Sequence, residues 1–275
     1  MLVSLRRKGS RLKNLEKKPE IAVISGSGLE SLVKGVEQIR IGTPFGLPSP
    51  IFLGAIGGKS VALLPRHGLG HSLLPHKVNY RANIYALRQL GAKRIIATNA
   101  VGTINKNFRL RDLVIPHDFI DFTKLRQTTF YEDTTPVIHI DMSQPYCPEI
   151  RNTIIRAAKQ CNIRVWDKAV LVCTEGPRLE TPAEIEMFHR LGGDLVGMTG
   201  VPEAVLSREL EMCYAAVCFV TNMAAGMQFR LRTSGVRKIA TKIRPLIEKL
   251  LSETIKNLPR NHKCPCVDAL ENARF

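Results

Sequence analysis

The sequence lacks any apolar run long enough to cross a bilayer, and its cysteines do not follow the pattern of a secreted domain. A membrane-spanning helix needs about 20 consecutive apolar residues, so we expect no membrane partner. The seven cysteines are an odd number scattered over 275 residues. This does not fit a disulfide framework and favours reduced thiols in a cytoplasmic protein. Hydrophobic residues make up 44% of the chain, which excludes intrinsic disorder as its main state.

Acidic residues are scarce relative to basic ones, with 24 Asp and Glu against 40 Lys and Arg and a net charge of +16. Most of the surplus lies in residues 1–20 and 226–250. Such a charge attracts nucleic acids, anionic surfaces and phosphorylated small molecules alike. A nucleic-acid-binding protein is therefore the alternative from another functional class. Because no zinc finger, aromatic RNA-binding signature or basic region with heptads accompanies the charge, we expect no nucleic-acid partner.

The chain divides into three parts by composition. Residues 1–19 are predicted to be a basic flexible extension, 20–258 a single domain, and 259–275 a C-terminal tail. The tail contains Cys264 and Cys266 with one proline between them. A C-x-C pair could bind a metal or form a local disulfide, but no second pair with zinc spacing exists in the sequence. The favoured interpretation is two thiols on a loose tail, with no metal bound.

Short apolar runs alternate with amphipathic stretches along residues 20–258. This alternation predicts one α/β domain with a mixed, largely parallel central sheet flanked by helices. A hairpin with a glycine turn is expected at 51–64, and Pro245 is expected either to kink or to divide the last helix. The other strands are predicted at 21–24, 94–98, 113–122, 169–173, 195–198 and 214–221, and the helices at 79–90, 149–161, 181–191, 202–212 and 238–258.

Residues able to bind a ligand follow these apolar runs. Ligands in such folds bind beyond the carboxyl ends of the strands, so these segments are expected to meet. Each could instead be an ordinary turn, loop or helix cap. His67 and His71 have the spacing of two zinc ligands on a helix, but Gly68 and Gly70 disfavour a helix there, so anion binding ranks above metal. The candidate segments are 25–28, 65–71, 98–102, 174–180, 197–200 and 221–226.

Several longer strings make the sequence recognisable as a whole. They are ISGSG, RHGLGH, TNAVGTI, TEGPRLETPAE and GMTGVPEAVLSRELEMCYA. From about residue 21 to 258 the sequence resembles the trimeric nucleoside phosphorylases, the family of purine nucleoside and methylthioadenosine phosphorylases, and within it the methylthioinosine phosphorylase branch. The resemblance implies a pentosyltransferase that cleaves a purine nucleoside with inorganic phosphate, giving the free base and a ribose 1-phosphate. It also implies a homotrimer, a role in purine salvage, and no cofactor besides phosphate as co-substrate.

The resemblance also implies roles for individual residues. Asn222, Glu180 and His67 would be the catalytic residues, and Met198 would lie against the ribose. Leu179 would meet the base together with Glu180 and Asn222. The residues that would hold phosphate are Ser27, Arg66, His67, the backbone amide of Ala100, and Thr199. His139 stands where the family places a residue of the neighbouring subunit, reaching toward the 5′ substituent.

Two of these positions bear on the identity of the base. Adenosine-type members of the family typically have aspartate at the position of Asn222 and serine at that of Glu180. A Glu180 carboxylate can accept the N1–H of a 6-oxopurine, whereas adenine N1 is itself an acceptor and would remain unpaired. This favours hypoxanthine or guanine nucleosides. The apolar segment after Asn222 favours a 5′-methylthio group, and the alternatives are a general purine nucleoside phosphorylase or a methylthioadenosine phosphorylase.

Overall fold

The computed structural model describes residues 18–26, 37–228 and 233–275, without side chains for 233 and 234. The expected extension at 1–19 and the phosphate candidate Ser27 therefore lie outside the described residues, apart from Lys18 and Pro19. The strands in these ranges are β1 Ile21–Ser25, β2 Glu37–Ile39, β3 Ile51–Ile56, β4 Lys59–Pro65, β5 Arg94–Thr103, β6 Leu113–Val114, β7 Asp118–Phe122, β8 Val165–Trp166, β9 Val170–Thr174, β10 Leu195–Gly197 and β11 Cys213–Met223. The helices are α1 Tyr80–Leu90, α2 Pro148–Gln160, α3 Pro182–Arg190, α4 Val201–Glu209 and α5 Thr233–Asn257.

All of these strands belong to one sheet, whose main path is β2-β3-β4-β1-β5-β10-β9-β7. Strand β11 runs parallel to β5 along nearly its whole length and also pairs with β6. The hairpin β3–β4 and the β5–β10 pair are antiparallel, whereas β1 is parallel to both β4 and β5. The prediction of one α/β domain with a mixed, largely parallel sheet is confirmed.

Strand β5 lies at the centre of the arrangement. Its first residues, from Arg94 to Ala97, pair with β1, while Gly102 and Thr103 pair with β10. Strands β1 and β10 therefore pair with the same edge of β5 at different positions along its length. The gap between them leaves room for a ligand. The sequence analysis predicts this strand at 94–98, whereas β5 continues to Thr103 and includes the polar residues Thr98 and Asn99. In the structure both are buried inside β5, where pairing with β11 continues the strand.

Two hydrophobic layers cover the faces of the sheet. Alternate residues of β1 point to opposite faces, so Ile24 packs in one layer and Val23 in the other. Helices α1 and α4 supply side chains to the first layer, and α2 and α5 supply them to the second. Burial on both faces explains why β11 is nearly continuous in apolar residues from Cys213 to Val220.

Local signals set the helix ends where they were expected. Thr181 and Glu184 form a capping box at the start of α3, each side chain accepting from the other residue's backbone N–H. Gly91 ends α1 with φ 106°, a left-handed conformation that favours glycine. Pro245 lies inside α5 and does not divide it. None of the helices in the described residues is long and apolar enough to cross a membrane.

The C-terminal segment packs against the domain. Residues 265–268 form a short 3₁₀ helix, and Arg274 forms an isolated bridge with Ile138. Cys264 is 7% exposed and Cys266 is 1% exposed. The interpretation of these two cysteines as thiols on a loose tail is wrong. They are buried because the chain folds back over the start of α2 and β11, a contact that local sequence does not encode.

Candidate active site

A cavity of about 370 Å³ opens where the ends of five strands meet. Most of the site residues implied by the resemblance contribute to its lining. They are Arg66, His67, Ala100, Leu179, Glu180, Met198, Thr199 and Asn222. Five separate stretches of sequence, after β4, within β5, after β9, after β10 and at the end of β11, thus reach one space. His139 does not line it.

Arg66 follows β4 directly and is completely buried. Its Nη1 donates to the carbonyl of Thr98 at 3.0 Å, and its Nη2 donates to Glu203 Oε2 at 2.8 Å. A second bond from Nε to Glu203 Oε1 makes the pair bidentate. The guanidinium is therefore held rigidly at the wall of the cavity, with its remaining N–H groups available to an anion.

Glu203 is the functional residue that the sequence analysis missed. It lies in the first turn of α4, is 0% exposed, and also accepts from the hydroxyl of Tyr214 at 2.8 Å. A charged residue is almost never fully buried unless it is paired. Its position in a helix surrounded by apolar residues was a signal of such a pair, but its partner, Arg66, lies 137 residues away in the chain.

His67 lies beside Arg66 and is 6% exposed. Its Nδ1 lies 2.9 Å from the carbonyl of Leu73, and because that oxygen can only accept, Nδ1 holds the proton. Burial, with the neighbouring charges of Arg66 and His71, lowers the pKa of His67 to about 3. The ring is thus neutral near pH 7 and its Nε2 is an acceptor. The proton on Nδ1 is already taken by the carbonyl of Leu73.

The polar groups at the other end of the cavity are a carboxylate and an amide. Glu180 Oε1 accepts from the hydroxyl of Thr174 at 2.7 Å, which leaves Oε2 to accept from a ligand in the cavity that this residue lines. Asn222 accepts through Oδ1 from Thr221 Oγ1 at 2.8 Å and donates through Nδ2 to the carbonyl of Met223 at 2.9 Å. One N–H of the Asn222 amide remains to donate to a ligand.

The backbone near Asn222 explains how the amide reaches the cavity. The register of β11 against β5 shifts between Val220 and Asn222, a bulge that turns the side chain from its regular direction. A Cβ atom at Gly102 would lie 2.9 Å from Asn222 Nδ2, so the glycine leaves the room that this amide needs. The sequence showed a turn-forming Asn here but not the bulge.

Arg126 is a second residue that the sequence analysis missed. Its side chain is 2% exposed and donates to the carbonyls of Met198 at 2.6 Å, Thr174 at 3.1 Å and Glu175 at 2.7 Å. It therefore joins the segment after β10 to the segment after β9, and both segments supply residues to the lining of the cavity. It lies outside the candidate segments, so no motif identified it.

Three expected site residues remain, which are His139, Thr199 and Ser27. His139 lines a separate surface cleft, and its backbone N–H donates to the carbonyl of Ala273 at 2.8 Å. Thr199 lines the cavity and its hydroxyl lies 3.4 Å from Asn99 Oδ1. Ser27 is outside the described residues, so the glycine turn after β1 is represented only by Gly26, whose N–H donates to Thr98 Oγ1 at 2.9 Å.

Comparison with known proteins agrees with this geometry. A model of the phosphorylase superfamily matches residues 20–256. The chain belongs to the phosphorylase superfamily. The resemblance to nucleoside phosphorylases inferred from the motifs is confirmed.

Three similar proteins indicate where in the superfamily this phosphorylase lies. A protein of Korarchaeum cryptofilum named "Probable 6-oxopurine nucleoside phosphorylase" is 49% identical over 91% of this chain and 97% of its own. One of Methanopyrus kandleri named "Probable S-methyl-5'-thioinosine phosphorylase" is 47% identical over 92% of this chain and 98% of its own. The structure of methylthioadenosine phosphorylase from Schistosoma mansoni with adenine superimposes with a TM-score of 0.88 at 30% identity, covering 94% of this chain and 99% of that one.

The buried Arg66–Glu203 pair leads to a prediction about stability. Replacing Glu203 with Gln leaves Arg66 as an uncompensated buried charge, because the new amide aims N–H groups at a donor. We expect the free energy of unfolding of Glu203→Gln to fall by about 3–5 kcal/mol, measured by urea denaturation. The control is Glu248→Gln, which removes an exposed pair with Arg244 and should cost less than about 1 kcal/mol. Equal losses in the two variants would contradict the assigned importance of the buried pair.

The lowered pKa of His67 leads to a prediction about pH. The folded state holds this histidine neutral down to about pH 3, whereas the ordinary value is 6.5. Between pH 6.5 and about 3 the histidine is protonated in the unfolded chain but not in the folded one. The contribution of His67 to the free energy of unfolding is therefore fully present above pH 6.5 and is lost as the pH falls through this range. In this range the free energy of unfolding of the wild type should drop more steeply than that of His67→Gln, by up to ~1.4 kcal/mol per pH unit. Urea unfolding at several pH values measures both slopes, and parallel slopes would refute the prediction.

Proposed function

We propose that the chain catalyses the phosphorolysis of a 6-oxopurine nucleoside, with S-methyl-5′-thioinosine as the favoured substrate, giving hypoxanthine and methylthioribose 1-phosphate for purine salvage. The observation that supports this best is that Arg66, Thr199 and Asn222 line one cavity although they come from separate strand ends. The names of the relatives from Korarchaeum cryptofilum and Methanopyrus kandleri support a 6-oxopurine substrate.

Phosphate would bind at the end of the cavity formed by Arg66, His67, the Ala100 amide and Thr199. Arg66 supplies charge and N–H donors, and the Thr199 hydroxyl lies just before the amino end of α4, which favours an anion. Since Nε2 of neutral His67 is an acceptor, it suits the remaining proton of a monohydrogen phosphate. Ser27 keeps its expected role as a further hydroxyl donor.

The reaction follows from the charges at the two ends of the cavity. A phosphate oxygen attacks C1′ as the C1′–N9 bond breaks, and the electron pair of that bond goes to the purine. Positive charge develops on the ribose beside the phosphate dianion, which stabilises it. Met198 would lie against the sugar between the two ends.

The base is selected at the end that contains Glu180 and Asn222. The free N–H of Asn222 donates to N7 or O6 and stabilises the negative charge on the leaving purine. The free oxygen of Glu180 accepts the N1–H of a 6-oxopurine. With adenine, the N1 lone pair would face the carboxylate instead, and an unpaired group of this kind costs ~1–3 kcal/mol. Leu179 completes the contact with the base.

The 5′ substituent is assigned from the apolar part of the lining. Leu74, Pro75 and Val236 border the same cavity, which suits a thioether better than a hydroxyl. A general purine nucleoside phosphorylase that cleaves inosine and guanosine is the second candidate, favoured by the name of the Korarchaeum cryptofilum relative. Both candidates share the 6-oxopurine and the phosphate.

One steady-state experiment tests the proposed reaction. We expect release of free base only when phosphate is present, with kcat/KM highest for S-methyl-5′-thioinosine, lower for inosine, and about 5- to 100-fold lower for methylthioadenosine than for methylthioinosine. A preference for methylthioadenosine would refute the 6-oxopurine assignment. Base release without phosphate would refute phosphorolysis.

A single variant connects this preference to Glu180. Glu180→Gln replaces an acceptor by an amide that can donate to adenine N1, so the ratio of kcat/KM for methylthioinosine over methylthioadenosine should fall about 5- to 100-fold. The matched control is Glu186→Gln on the exposed part of α3, outside the cavity. An unchanged ratio in Glu180→Gln would show that this carboxylate does not discriminate between the two bases.

The homotrimer, the role of His139 and the cytoplasmic location are further parts of the proposal. His139 lies off the cavity of its own chain, which agrees with a contribution to a neighbour's cavity. Sedimentation equilibrium should give the mass of three chains. His139→Ala should raise KM for the nucleoside while leaving KM for phosphate within about twofold, since the 5′ group is far from the nucleophile. A monomer with full activity would refute both points. An odd number of cysteines supports the cytoplasmic location.

A further inference from the structure

Four of the seven cysteines meet at one buried point. The Sγ atoms of Cys147, Cys213, Cys264 and Cys266 all lie within 4.8 Å of one another. Cys147 is the N-cap residue of α2, Cys213 is the first residue of β11, and the other two flank Pro265 at the start of the C-terminal 3₁₀ helix. None is more than 7% exposed. Three distant parts of the chain thus bring thiols to a single centre.

The mutual spacing of these sulfurs matches the requirements of a tetrahedral metal ion. A Zn²⁺–thiolate bond of about 2.3 Å places the four sulfurs of a tetrahedron roughly 3.8 Å apart. Cys213 and Cys264 have their sulfurs at 3.3 Å, and all four cysteines are free thiols rather than two bonded pairs. One ion at the centre would satisfy all four sulfurs at once, which neither a pair of ordinary thiol contacts nor an apolar core can do.

The surroundings can balance the negative charge of a tetrathiolate. Cys147 stands at the amino end of a 13-residue helix, where the dipole favours an anion. Arg208 is buried and lines one surface cleft together with Pro265, the residue between Cys264 and Cys266. His262 Nδ1 lies 3.4 Å from Cys213 Sγ and can donate to a thiolate. Such outer groups orient metal ligands and stabilise their charge.

We propose that Cys147, Cys213, Cys264 and Cys266 form a structural Zn²⁺ site. On binding, the four thiols release their protons and each sulfur forms one bond to the ion, with no change of oxidation state. The site is closed by four protein ligands and leaves no position for substrate, as structural zinc sites do.

The position of the site in the fold assigns it to stability rather than to the reaction. Cys213 begins β11, and Asn222 lies nine residues further along it, roughly 30 Å away at the rise of a strand. The metal would instead join the C-terminal segment to α2 and to the start of β11. It therefore explains why Cys264 and Cys266 are buried, which composition alone did not suggest.

The first experiment measures metal content. The full chain is produced with added zinc, purified without oxygen in the presence of a phosphine reductant, desalted, and analysed by mass spectrometry for metals. We expect one zinc ion per chain. After exchange with Co²⁺, the absorption spectrum should show the sulfur-to-cobalt charge-transfer bands and the intense visible d–d bands of a tetrahedral tetrathiolate. Substoichiometric zinc under these conditions would overturn the proposal. So would two disulfides, detected in a second sample that is purified without reductant, denatured and alkylated, as two missing alkyl groups for each bridge.

Variants locate the metal at the cluster. The double variant Cys264→Ser with Cys266→Ser should bind no zinc, because two remaining thiols and His262 cannot complete the site, and its melting temperature should fall below that of the wild type. The matched control is Cys161→Ser, which alters a partly exposed cysteine outside the cluster and should keep its zinc. Full zinc content in the double variant would overturn the proposal.

A titration of the wild type avoids any failure of the variant to fold. An organic mercurial added to the zinc-loaded protein modifies thiolates and releases the metal to a coloured indicator. Zinc release should be complete when the four cluster cysteines have been modified. Release that does not follow thiol modification would place the ion elsewhere and refute the site.

Discussion

The cavity depends on the buried pair of Arg66 and Glu203. The arginine follows β4, its backbone N–H bonds to Ser25 at the end of β1, its side chain bonds to Thr98 in β5, and its carboxylate partner lies in α4. A single residue therefore fixes the relative positions of the four elements that form one end of the cavity. Burying two charges is expensive unless each is fully paired, so this geometry has little freedom to relax. An arginine fixed in this way meets an incoming anion without reorganisation, which is the condition for effective electrostatic stabilisation.

Local features of the fold were predictable because they depend on near neighbours in the chain. The capping box of Thr181 and Glu184 spans three residues, and the strand of 21–24 is recognised from its own apolar run. The candidate site was predictable for a different reason, since parallel strands place their carboxyl ends at one edge and the motifs follow those ends. The resemblance then supplied the roles of individual residues, which spacing alone did not provide.

Features that depend on distant partners were not predictable. The partner of Arg66 lies 137 residues away, and the cysteines that meet Cys264 and Cys266 come from α2 and β11. Zinc spacing along the sequence requires a second cysteine pair, whereas the fold supplies two single cysteines from different elements. In the same way β5 continues through Thr98 and Asn99 because β11 pairs with them, although polar residues ordinarily suggest a strand end.

The basic charge has a simpler explanation where the structure describes it. On α5 the residues Ile243, Ile247 and Leu250 pack against the sheet, while Arg237, Lys238, Lys242 and Lys249 are exposed. These cations thus form the solvated face of an amphipathic helix. Since Val236 on the same helix borders the cavity, part of this positive face lies near the cavity. Long-range attraction of an anionic co-substrate needs no further binding surface, so the charge agrees with a phosphate-using enzyme as well as with a nucleic-acid partner.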